Sequence, residues 1–236
     1  QSTINGATRN LTITGNAVFG GAVTVASLDV SGTTSIGANI TTTGNQTYSG
    51  AVTLGVNAIL TGNTMTAQST INGGANNLTI TGNAVFGNAI TNVTALTVSG
   101  TTSIGGNITT TGNQTYSGAV TLTADSALTT SSNGSVALGD SVNGARTLTI
   151  NTNGTGNTTI TGALGSSTPL TGLTINTNGL NAAAITLASN SAISITNGGA
   201  STISGIIAGS GVTLTKAGAG TLTLSNACLL YTSPSP

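Results

Sequence analysis

The sequence predicts an all-β solenoid, a single elongated array of short strands coiled into stacked turns. Three observations carry that prediction. A long block of the chain occurs twice, apolar residues alternate with Thr between Gly and Asn breaks, and charge is almost absent.

The repeated block comes first. QSTING at 1–6 returns at 68–73, and LTITGNAVFG at 11–20 returns unchanged at 78–87, both at the same offset. NITTTGNQTYSGAVTL at 39–54 returns at 107–122, an offset longer by one, because a single residue has entered between Phe86 and Val98 relative to Phe19 and Val30. A compact core made of two copied halves does not absorb such a slip, whereas a stacked array takes it up in a loop between turns. The duplication thus pairs 1–54 with 68–122, and the offset between copies is expected to hold about three turns of roughly 22 residues.

Composition agrees. The 236 residues include three Lys or Arg (Arg9, Arg146, Lys216), three acids (Asp29, Asp125, Asp140), no His and 35 Gly. Charged residues make up 3% of the chain, far below the roughly 25% of ordinary domains. Disorder goes with low hydrophobicity or high net charge, but here the net charge is zero and 37% of residues are hydrophobic. Nucleic acid is excluded as a partner, since three scattered cations make no basic stripe. No apolar run is long enough to span a bilayer as a helix. QSTINGATRN, at the start, lacks the charged and apolar regions of a secretory signal, so the stretch reads as an interior piece of a longer chain.

In chain order, NLTIT at 10–14 alternates apolar residues with Thr and stops at Gly15. That is strand period two. The same grammar recurs at 22–30, 51–54, 78–81, 95–98 and 119–122. Thr, Ser, Asn and Gly disfavour helix, so no crossover helices are available and the strands must form meanders or coils. TGNAVFGGAV at 14–23 is similar to TGNQTYSGAV at 43–52, which places Phe19 with Tyr48, and Phe86 with Tyr116, at related positions that fill the core. After Leu122 the pattern loosens, then LTINTNG appears at 148–154 and again at 173–179, and further short strands are expected over 184–195, 200–207 and 211–224.

Residues 209–227 (GSGVTLTKAGAGTLTLSNA) resemble the passenger-associated β-strand repeat of bacterial autotransporters. Residues 143–162 and 39–54 are similar to rungs of filamentous-haemagglutinin-like exoproteins. The resemblance covers most of 1–227. It implies a right-handed parallel β-helix exported by type V secretion to a Gram-negative outer membrane or released from it. It further implies a translocator in trans or in another part of the chain, and a surface glycan or protein on a host or neighbouring cell as partner. Residues 228–236 (CLLYTSPSP) match no rung and resemble translated sequencing adapter, so they are set apart from the 1–227 array.

No catalytic, cofactor-binding or metal-binding residues are expected. Cys228 has no His partner, and acid–base chemistry needs paired groups. Asp125 and Asp140 are the only acids moderately close in sequence, and LDVSG at 28–32 is LTVSG at 96–100, so the array forms without Asp29. Calcium-binding nonapeptides and phosphate loops are absent from the pattern. Ten Asn-x-Ser/Thr sequons follow from abundant Asn and Thr. The expected function is therefore a non-enzymatic adhesin stalk, monomeric and rod-like. A trimeric phage-fibre segment is the alternative, and a Thr-ladder ice binder, built on T-x-T pairs such as Thr79/Thr81, is a weaker one.

Overall fold

The computed structural model describes residues 2–226, and every regular element among them is a β-strand. The shortest strands set the rhythm. Thr34–Ile36, Ile40–Thr42, Gln46–Tyr48, Val52–Leu54 and Ala58–Ala67 begin six residues apart, as do Thr102–Ile104, Ile108–Thr110, Gln114–Tyr116 and Val120–Leu122. Each is a three-residue step with its first and third side chains inward and its second outward, or opens with one. Gly, Asn and Ser fill the corners between steps.

Every pairing is parallel and links one turn to the next, which makes a solenoid with three columns of strands. On the first face Ile4, Val23, Ile40, Leu60, Ile80 and Val98 are stacked partners. On the second, Leu11, Leu28, Gln46, Met65, Ala84 and Thr102 stack likewise. The third runs the length of the array through Ala17, Thr34, Val52, Ile71, Ile90, Ile108, Leu128, Ile150, Ile175, Ile195 and Lys216. There are about eleven turns.

Turn length changes along the array. Partners on the third face stand closest in sequence near the start, as Ala17 does to Thr34 and Thr34 to Val52, and farther apart beyond Leu128, as Ile150 does from Ile175. In that later part the third-face strands lengthen to six residues, as in Thr147–Thr152, Gly172–Thr177 and Ala192–Asn197. The loosened sequence after Leu122 marks this widening within one continuous array.

The duplicated block does not hold the whole number of turns that its length suggests. Leu11 belongs to the second face, but its copy Leu78 pairs with Ala58 and Leu96 on the first. Ile40 is on the first face and its copy Ile108 on the third. The block therefore spans eleven steps, three turns and two thirds, and each copied step is displaced by one face. Turns in this half are accordingly shorter than expected, and the step, not the turn, is the repeating unit. The inserted residue is also visible: pairing skips between Thr91 and Val93, where Asn92 adopts a left-handed φ of 55°. Asn tolerates that conformation better than most residues.

The core is one column of side chains running between the faces, without interruption. Phe19, Tyr48, Phe86 and Tyr116 are all buried in it, as their matched positions predict. Each is the third residue of its step, although the duplicates lie on different faces. Each fully buried Leu or Ile contributes about 1.5–3 kcal/mol relative to an exposed one, and repetition multiplies the gain. Corners close tightly: a Cβ on Gly50 would lie 2.4 Å from the Gly32 carbonyl carbon one turn earlier.

Polar groups also point inward. The Tyr48 hydroxyl donates to Gln46 Oε1 at 2.8 Å, and Gln46 Nε2 donates to the Thr61 carbonyl at 2.8 Å. The second copy repeats this: Tyr116 donates to Gln114 Oε1 at 3.0 Å, and Gln114 Nε2 to the Thr129 carbonyl at 2.9 Å. Burial pushes both phenols far above the usual tyrosine pKa, since the charged form would lose its hydration.

Candidate functional surface

The surface is built from the middle residue of each three-residue step and from the corners. Middle residues are mainly Thr, Ser and Asn. Thr79, Thr97 and Thr115 stack on the first face, and Thr149, Thr174, Ser194 and Thr215 on the third. β-Branched Thr suits a pleated, half-solvated strand, and stacked hydroxyls support the pairing. Thr79 and Thr149 belong to T-x-T pairs of the sequence, and the columns they stand in also take Thr and Ser from outside such pairs.

The three acids are kept apart. Asp29 is an outward middle residue on the second face, between Thr12 and Thr47. Asp125 lies at the corner leading to the third face, where its Oδ1 accepts from the Thr147 amide at 2.8 Å. Asp140 lies at the corner leading to the second face and accepts from the Ser141 amide at 2.6 Å. Asp125 and Asp140 thus occupy different corners and do not form a pair. Among the described residues no three of His, Cys, Asp and Glu gather. Cys228 and the rest of 228–236 lie outside the described residues. Of the cations, Arg146 Nε donates to the Thr123 carbonyl at 3.0 Å and Lys216 Nζ to the Gly218 carbonyl at 2.7 Å; Arg9 is exposed.

The corners hold what the sequence reading missed. Asn39 Oδ1 accepts from the Ile59 amide, Asn57 from Asn77, Asn107 from Ala127 and Asn113 from Ser135, each at 2.9 Å. A corner Asn side chain therefore satisfies a backbone amide of the following turn, and Asp125 does the same with a carboxylate. Asn standing just before a strand was the available signal. Sequons at Asn39, Asn107 and Asn113 coincide with these latches.

Residues 209–226 of the family-like repeat form a corner and two strands. Thr213–Ala217 pairs on the third face and Leu222–Leu224 on the first. Gly209, Gly211 and Gly218 hold φ of 140°, 65° and 79°, which accounts for three of the four glycines in this stretch; the fourth, Gly220, closes against the Gly199 backbone one turn earlier. Lys216 continues the inward Ile150, Ile175, Ile195 register, yet in this final described turn its side chain is exposed.

Searches of protein-family models, curated proteins and solved structures returned no match for this chain.

Proposed function

We propose that the chain is a non-enzymatic stalk and adhesive region of a secreted or surface-displayed bacterial adhesin, carried to a Gram-negative outer membrane by type V secretion. The observation that carries this reading is the uninterrupted apolar core, clad on three faces by small neutral polar side chains. At a rung spacing of about 4.8 Å, about eleven turns extend about 50 Å. That geometry suits a spacer presenting a long lateral surface. With so few charges, its partner is a neutral or weakly charged glycan or protein on a host or neighbouring cell, met through hydroxyl, amide and backbone hydrogen bonds.

Sedimentation equilibrium on the purified chain, with a far-ultraviolet circular dichroism spectrum, tests the architecture: a β-rich monomer is expected. A stable trimer would instead favour a fibre segment of the phage type. Beads coated with the protein should attach to cells with little loss between low and high salt, because screening acts on exposed charges. Attachment abolished by salt would count against this mode of contact.

A further inference from the structure

The chain contains seven Asn-Gly pairs, with Asn at positions 5, 72, 133, 143, 153, 178 and 197. We propose that Asn153-Gly154 is a site of spontaneous deamidation in the folded protein, singled out from the other six by its place in the fold. In such a pair the following backbone nitrogen can attack the side-chain carbonyl carbon. The new C–N bond closes a five-membered succinimide, and the amide nitrogen leaves as ammonia, taking up the proton lost from the attacking N–H. Water then adds to either ring carbonyl and opens it to aspartate or isoaspartate. No oxidant or enzyme is needed. The reaction does require an amide nitrogen and a side chain that are both free, and a backbone able to bring them together.

Asn153 has both groups free and lies outside any strand pairing. It follows the strand Thr147–Thr152 and is exposed in a tight turn, in which the Gly156 amide donates to the Asn153 carbonyl at 3.1 Å. Gly154 has φ of 61° and is exposed. Among the described residues neither the Asn153 side chain nor the Gly154 amide takes part in a hydrogen bond.

The other pairs are restrained. Asn133 Oδ1 accepts from the Thr155 amide at 3.0 Å, and Asn143 Oδ1 from the Ser167 amide at 2.8 Å. Asn72 Oδ1 accepts from the Gly74 amide at 3.0 Å. Asn178 donates to Asn157 Oδ1 at 3.2 Å while Gly179 is paired in a strand. Asn197 is buried with its Nδ2 held by the Gly199 and Thr221 carbonyls, and the Gly198 amide donates to Thr177. Asn5 and Gly6 are both paired in an extended strand. These six react only through local opening of the fold.

The consequence is a change of charge. One deamidation adds a fourth acid to a chain whose formal net charge is zero, so aged protein acquires a more acidic form. The test is to hold the folded chain at mildly alkaline pH and 37 °C, follow it by ion exchange, and map peptides by mass spectrometry. The expected result is a single early acidic species with the one-dalton gain at Asn153, partly as isoaspartate, absent from the Asn153→Ser variant. In denaturant the seven pairs should lose their ranking. Deamidation in the folded chain that begins at any of the other six pairs, or proceeds equally at all seven, overturns the proposal. So does an acidic species that persists unchanged in Asn153→Ser.

Discussion

At the scale of single residues, inward polar groups divide into satisfied and unsatisfied ones, and the two kinds predict opposite mutational effects. Thr34 and Thr102, duplicates on the third and second faces, are buried with hydroxyls that have no hydrogen-bond partner. An unpaired buried hydroxyl costs about 1–3 kcal/mol, so Thr34→Val and Thr102→Val should each stabilise the fold by about 1 kcal/mol, read as a higher denaturation midpoint. Tyr48 and Tyr116 are different, because each hydroxyl is paired and buried. Their folded pKa values are raised, so the stability they contribute is fully present below the ordinary tyrosine value of 10.0 and is lost as pH climbs above it, where the unfolded chain ionises. The third tyrosine, Tyr231, lies outside the described residues; with it replaced by Phe, tyrosinate absorbance should appear only together with loss of β-structure. Absorbance rising near pH 10 in a chain with an intact β-sheet spectrum would show that these phenols reach solvent.

At the scale of strands and corners, the corner Asn is a latch between turns. Asn107→Ala should cost about 1 kcal/mol by leaving the Ala127 amide without its acceptor. Asn107→Asp should cost much less, as Asp125 already plays that part for Thr147; urea midpoints of the two variants decide it. Corners and strands also differ in tolerance of length. Deleting Asn92 restores the spacing of the first copy, in which Val23–Val30 turns the corresponding corner with one residue fewer, and should be nearly neutral. Deleting Thr97 moves Val98 from the core to solvent and should cost about 3 kcal/mol or more, seen as a broad loss of thermal stability. The sequence made the strand type and the outward Thr legible, since alternation bounded by Gly and Asn has few other readings. It did not reveal the strands Thr34–Ile36 and Gln46–Tyr48, because their leading inward residues are Thr and Gln, which a binary pattern assigns to solvent. Asp29 was legible as dispensable to the array from its Thr counterpart in the copy. The latching role of Asp125 was not, because it depends on contact with Thr147 in the next turn, and no local pattern encodes it.

At the scale of the whole molecule, the turn length was hidden for a related reason: a sequence repeat reports what was duplicated, not how many residues close a turn. The block copied eleven steps, and three steps make a turn, so copy and original face different directions. Nothing in the letters marks that remainder. It gives a strong prediction all the same. Removing residues 40–107 joins Asn39 to Ile108, and the chain then continues with the same residues, ITTTGNQTYSGAVTL, that it had before. Those strands would meet Val23, Leu28 and Thr34 through the pairings now made by Ile40, Gln46 and Val52. Above them, Leu128 would still sit on Ile108 and Val136 on Gln114. Every interface in the shortened protein is therefore one the present protein already contains, rotated by one face as a block. In a quasi-one-dimensional array, stability is close to a sum over neighbouring rungs, so the deletion should fold with an unchanged circular dichroism shape. Small-angle scattering should find it shorter by three and two thirds turns, about 18 Å. Shortening the deletion by a single step, to residues 46–107, would place Ile108 after Asn45, against second-face partners it has never met. That variant should be clearly less stable. If both deletions fold equally well, the strands are interchangeable to a degree that specific pairing does not allow, and the eleven-step register is not what holds the stack in place.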